Sequence, residues 1–243
     1  MSAVPVPNQP LSPQMAAILA EYDLPPEARP RHDHLITEDD APVDNWFAAA
    51  QYRLLVEPLY ASWSGPPTED GKFIVDANVG LFNTDKEPKP PVVPDVMLAL
   101  GVEFPEDLQQ KEHRSYFIWL FGKPPDVVVE LVSNTTGGED TWKPKHYAKI
   151  KVPYYIIFDP WEYLKKGVLR VGELARGKYK AMREPYWLPD VGLGLKLWEG
   201  AYDGRKAAWL RWSDRNGKLI PTGQEKAERL AAKLRELGVD PEA

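Results

Sequence analysis

Residues 125–133 read PDVVVELVS, an unbroken apolar, β-branched run with one carboxylate, Glu130, in its middle. A run of this length and composition predicts a central strand buried on both faces. Strand alternation puts Val128, Glu130 and Val132 on one face and Val129, Leu131 and Ser133 on the other. Residues 154–160, YYIIFDP, predict a second such strand. Between the two, TWKPKHYAKIK predicts a short helix with Pro144 in its first turn. Strand, helix, strand is the order of a βαβ unit.

Upstream, NWFAAAQYRLLVEPLYAS spaces Phe47, Leu54, Leu55, Leu59 and Tyr60 as a helix covering a sheet, which Pro58 is expected to kink or end. Shorter strands are predicted at residues 72–76, 79–82 and 95–100, and later at VLRV, YKAM and AAWLRW. A polar loop over residues 103–113 precedes SYFIWLF. At the end, QEKAERLAAKLRELGV predicts a helix with Ala227, Leu230, Leu234 and Leu237 on one face, between Pro221 and Gly238. The pattern predicts an α/β fold: a mixed sheet flanked by helices, with a C-terminal helix.

Residues 1–42 lack sustained periodicity and hold many prolines and charges, as in LPPEARPRHDH. They are expected to form a flexible N-terminal arm. The core is expected over residues 43–200, with a strand and helix extension over 201–243. With 243 residues the chain can build one substantial core or two small ones. A net charge of −6 counts against a broad phosphate-binding surface but leaves room for a local basic groove. No cysteine is present, which removes disulfides and thiolate chemistry. No apolar run reaches about 18 residues, so no membrane-spanning helix is expected. The N-terminus shows neither the basic region nor the apolar core of a signal peptide, and a cytoplasmic location is expected.

Glu130 carries the chemical question, because a lone carboxylate in a buried strand must be offset by a cation, an ion-pair partner or a strand end open to water. Three residues occur in a suggestive order: Asp95 opening a strand after Pro94, Glu130 within a later strand, and Lys143 at the start of the next helix. Two carboxylates on adjacent strands can chelate Mg²⁺, and a nearby lysine can orient or deprotonate a water or stabilise phosphate charge. Asp126, two residues before Glu130 on the same face, is a rival for the aspartate role. A structural glutamate paired with Lys or Arg is the plain alternative for Glu130, and a strand-opening turn residue for Asp95. Lys143 shares a helix face with Tyr147 and Ile150, whereas Lys145 aligns with Lys149 on a polar face. The scattered histidines, His32, His34, His113 and His146, have no zinc-site spacing. Ser133, Thr135 and Thr136 read as a turn, and Gly137-Gly138 lacks phosphate-loop spacing. Asp159 reads as a strand terminator, and the tryptophans as core mass before base-stacking platforms.

Taken together, Pro94-Asp95-Val96, then PPDVVVELVSNTT, then Lys143 and Tyr147 in K-x-x-x-Y, then VPYYIIFDP resemble the Uma-type restriction endonuclease family of the PD-(D/E)XK nuclease superfamily. The resemblance extends less sharply through WLPDVGLGLKLWEG to the C-terminal helix. It implies a restriction-endonuclease-like fold and metal-dependent cleavage of phosphodiester bonds in DNA, with Mg²⁺ or Mn²⁺ as cofactor. Asp95 and Glu130 are the implied metal ligands and Lys143 the implied motif lysine. Position 132, where the simplest form of the motif carries lysine, is Val here, and the Uma-type group similarly takes its lysine from the next helix. For the glutamate that such nucleases often add from the first helix, only Gln51 and Glu57 lie nearby. A homodimer would supply two sites for a duplex cut. The alternative is a catalytically inactive nuclease-fold protein acting as an interaction or scaffold module through its C-terminal helix.

Overall fold

The computed structural model describes residues 45–67, 70–84 and 91–240. The arm expected over residues 1–42, with His32 and His34, lies outside the described residues. In chain order the first half contains α1 (Trp46–Ser62), β1 (Phe73–Ala77), β2 (Leu81–Phe82), β3 (Val96–Leu100), β4 (Tyr116–Phe117), α2 (Ile118–Phe121) and β5 (Val127–Leu131). Then follow α3 (Lys143–Lys149), β6 (Tyr154–Phe158), β7 (Leu169–Ala175), β8 (Lys178–Ala181), β9 (Tyr186–Leu188), β10 (Leu193–Tyr202), β11 (Arg205–Ser213) and α4 (Gly223–Glu236).

Six strands form the main sheet in the order β1-β3-β5-β6-β7-β8. Within this sheet only β5 and β6 pair in parallel, joined across α3 as the predicted βαβ unit. The other neighbours are antiparallel, so the sheet is mixed as expected. β5 is buried along its whole length, which is why its sequence reads as a continuous apolar run. One face carries Val127, Val129 and Leu131 into a core shared with Tyr52, Leu55 and Leu59 of α1. The opposite face carries Val128 and Val132 against Tyr147 and Ile150 from the α3 segment. Strand parity read from the sequence is therefore the parity of the fold.

α1 begins at Asn45, whose side chain accepts from the N–H groups of Phe47 and Ala48, each at 2.9 Å. Of the two effects expected of Pro58, a kink or an end, it does not end the helix: α1 runs on to Ser62 with Pro58 inside it. Pro58 is buried in the stripe of Leu54, Leu55 and Leu59 that packs on the sheet, and this packing offsets the missing N–H.

A second, antiparallel sheet in the order β11-β10-β9 holds Trp209 and Trp212, both fully buried. These two therefore serve as core and give no apolar surface for dimerisation. The boundary expected at residue 200 falls within β10, which is paired with β11 from Gly194 to Tyr202. At its N-terminus α4 has a capping box in which Thr222 and Glu225 satisfy each other's backbone N–H groups. Buried Arg211 donates to both Glu225 oxygens, at 2.8 and 2.6 Å, and holds that carboxyl below its ordinary range. Replacing Thr222 with alanine is expected to lower stability by about 1 kcal/mol in urea unfolding. An unchanged midpoint would show that the Arg211 pair alone anchors the helix. Among the described residues no helix is long and apolar enough to cross a membrane.

Candidate active site

β3 and β5 are antiparallel with Val96 opposite Val129. Carried one residue further, this register sets Asp95, just before β3, opposite Glu130 in β5. The helix that follows β5 brings in the third group. Lys143 Nζ donates to Glu130 Oε2 at 2.8 Å, and Tyr147 OH donates to Oε1 at 2.6 Å. Lys143 and Tyr147 are four residues apart, so one helix face presents both to the same carboxyl. Lys145 is exposed, as is Lys149, which leaves Lys143 as the lysine beside Glu130.

Asp95 is held from two sides. Tyr52 OH in α1 donates to its Oδ1 at 2.8 Å, and the Leu131 N–H donates to its Oδ2 at 2.6 Å. These bonds orient the carboxylate. Glu130 is 0% exposed. Burial, reinforced by the charge of Asp95 and opposed by Lys143 and Tyr147, pushes its carboxyl up to about 8. Burial lowers Lys143, but Glu130, Asp95 and Glu139 outweigh it and leave the ammonium raised above its ordinary value. Its ammonium is held against Glu130 on the inner face of α3.

The structure does not place Asp126 with this group. Its carboxylate takes the Lys123 ammonium at 2.6 Å and the Leu100 N–H at 2.7 Å, tying the start of β5 to the end of β3. Nor does α1 supply a glutamate. Gln51 is bonded through both amide atoms to the Leu210 backbone, and Glu57 accepts from the Gly223 N–H at the start of α4. The first helix contributes Tyr52 instead. Asp159 accepts from the N–H groups of Tyr163 and Leu164 and closes the turn after β6, in keeping with its reading as a strand terminator.

Glu139 joins the site without having been among the candidates the sequence offers. It is buried in the loop before α3, with Oε1 3.6 Å from Lys143 Nζ, and its Oε2 is buried without a hydrogen-bond partner. Its place depends on the glycine pair before it. A Cβ on Gly137 would lie 1.9 Å from Glu139 Oε1, and one on Gly138 would lie 2.0 Å from Trp142 Nε1. Gly137-Gly138 thus lets the loop fold back over the site. Nothing in the local pattern signals this, because Glu139 reaches the site only through the loop's path.

The donor set is chemically suited to a hard divalent cation. Two carboxylates converge, and one of them is buried beside a like charge that a cation would relieve. Among the described residues no third His, Cys, Asp or Glu completes a metal-binding cluster with them. Mg²⁺ keeps several waters and is commonly held by one or two carboxylates, so the pair is sufficient.

No curated protein and no solved structure matches the chain. Its mixed sheet with flanking helices and a C-terminal helix is consistent with a restriction-endonuclease-like α/β fold. Residues 29–194 match the family model Uma2, described as a putative restriction endonuclease, and since that match takes in more than half of the chain, the protein belongs to the Uma2 family.

Proposed function

We propose that the protein is a divalent-metal-dependent endonuclease that hydrolyses phosphodiester bonds in DNA at Asp95, Glu130 and Lys143. The observation that carries this reading is the register that faces Asp95 with Glu130 while Lys143 lies 2.8 Å from the same glutamate. Asp95 and Glu130 would hold Mg²⁺ or Mn²⁺. When bound, such a cation polarises the phosphate oxygens and lowers the pKa of a water.

The chain's own groups supply orientation and charge. Tyr52 and the Leu131 N–H fix Asp95, and Tyr147 fixes Glu130, so both carboxylates keep their direction when phosphate enters. The Lys143 ammonium stabilises negative charge that grows on the phosphate as the water oxygen bonds to phosphorus and a sugar oxygen leaves. Exposed Lys145 and Lys149 on α3 offer nearby cations for the flanking phosphates, the local basic groove that an acidic protein still requires. Replacing Tyr52 with phenylalanine is expected to slow cleavage about 10- to 100-fold while the fold stays intact, since it removes one of the bonds that orient Asp95. Initial rates and circular dichroism on the same preparations check it.

The test of the function is cleavage of supercoiled plasmid with Mg²⁺ or Mn²⁺, with and without chelator, beside calorimetric titration of both metals. Metal-dependent nicking or linearisation supports the reading, and its absence with both metals on varied DNA overturns it. A second reading has one specific observation in its favour. On α4 and its C-cap the apolar stripe Leu230, Leu234 and Leu237 is exposed, at 55%, 37% and 78%, as an interaction helix would present it. That scaffold reading expects neither metal binding at Glu130 nor any effect of chelation. In the nuclease reading the same stripe is available to join two copies for a duplex cut.

A further inference from the structure

Beside the carboxylates lies a cavity of ≈ 230 Å³ that the proposed cleavage chemistry does not use. Met97 lines it and pairs with Val128 in β5. That register sets Met97 diagonally across from Glu130 on the same sheet face, about 7–8 Å away. Asp76 of β1, the partner of Met97 on the other side, also lines the cavity. The opposite wall comes from the loop between β3 and β4, with Phe104 and Leu108 at the exposed rim and Tyr116 stacked on Phe121 at 4.3 Å. Arg114 pins this loop by donating to the carbonyls of Leu108 and Gln109, so the wall is formed in advance.

His113 and Arg114 also line the cavity but bond to carbonyls of their own loop, those of Asp107, Leu108 and Gln109, so Asp76 and Ser115 set the chemistry of the occupant. Asp76 presents a carboxylate that uses one oxygen on the Ala77 N–H. Ser115, 4% exposed, has an Oγ without a hydrogen-bond partner. A buried hydroxyl left unpaired is costly, and a ligand group entering the cavity would satisfy it. The volume is below the roughly 300–1,000 Å³ of sites for drug-sized molecules, which suits one ring system and not a whole nucleotide. Aromatic and apolar walls favour a flat ring, and the carboxylate favours a ring that donates from an exocyclic amine.

We propose that this cavity receives one unpaired nucleobase bearing an exocyclic amine, cytosine, adenine or guanine, from the strand whose phosphate lies at Asp95 and Glu130. The inference rests on the nuclease reading and adds a base-selective subsite to it. Asp76 accepts from the amine, Ser115 Oγ bonds the ring edge, and Tyr116 and Phe121 form the apolar floor.

The experiment is fluorescence anisotropy with labelled single-stranded homopolymers of deoxycytidine, deoxyadenosine and thymidine and an abasic strand of equal length. The host is the full chain carrying Lys143→Met, which keeps both proposed metal ligands and slows cleavage, with Mg²⁺ present. Cytosine or adenine strands are expected to bind about tenfold tighter than thymine strands, with the abasic strand weakest. Asp76→Ala on that host should erase the preference while thymine binding persists. Leu108→Trp, at the exposed rim, should bring every base-bearing strand to the abasic level. Equal binding of all four strands, or a preference unmoved by Asp76→Ala, overturns the subsite and leaves the nuclease reading standing. Failure of every strand to bind overturns both.

Discussion

Glu130→Gln protein is expected to cleave DNA at least about 10³-fold more slowly than wild type, at saturating Mg²⁺ or Mn²⁺. A catalytic cation contributes several kcal/mol of transition-state stabilisation, and each 1.36 kcal/mol is a factor of ten in rate. Glutamine keeps the shape and can still accept from Tyr147, so the change isolates the charge that would hold the cation. Calorimetry on the same variant should show metal binding lost or weakened in parallel. Lys143→Met should behave differently, with metal binding kept and the rate down by about 10²–10³, because its charge acts on the phosphate. Cleavage by Glu130→Gln within tenfold of wild type would remove Glu130 from the site. A rate loss with metal affinity unchanged would instead limit its role to holding Lys143.

Metal-free wild type is expected to lose stability between about pH 4.5 and 8, the reverse of what an exposed ion-paired carboxylate does. Glu130 is pushed up to about 8 by burial and by Asp95, from an ordinary 4.5. The folded protein thus keeps a proton that the unfolded chain releases above 4.5. Its contribution is complete below that pH and declines by about 1.4 kcal/mol per pH unit until the folded carboxyl ionises near 8. Asp126, also raised by burial, acts in the same direction. His146 opposes them, since burial lowers its ring and stability from that group is lost as pH falls through its folded value. Urea unfolding in chelator across pH 5 to 9 checks the slope. Glu130→Gln should flatten it, with the Asp126 and His146 contributions remaining. Saturating Mg²⁺ should also flatten the wild-type slope, because a bound cation favours the ionised carboxyl. Equal slopes in wild type and Glu130→Gln would mean that the Lys143 pair keeps Glu130 ionised throughout.

Some of this was legible along the chain because it is local. The βαβ unit follows from VVVEL and YYIIF, whose apolar runs need burial on both faces, and from the short helix pattern between them. The position of Glu130 on the Val128 and Val132 face follows from strand alternation, and the approach of Lys143 and Tyr147 from helical spacing. Less was legible where glycine or proline interrupts the pattern. β10 is ten residues long, yet its LGLKLWEGAY contains two glycines and was not anticipated as a strand. Its pairing with β9 and β11 is what makes it one. The passage of α1 through Pro58 depends likewise on packing that no local rule contains.

Backbone periodicity alone sets the type of α1, β5, α3, β6 and α4 and the face on which their key side chains lie. Which distant groups meet is settled by the tertiary fold. Tyr52 reaches Asp95 across 43 positions, Lys123 claims Asp126, and Glu139 is folded beside Lys143 by the path of a loop. The cavity edged by Asp76 and Ser115 likewise exists only where β1, β3 and a loop converge. Such meetings depend on sheet order, register and loop course, quantities fixed by the balance of the whole core and not by any one segment.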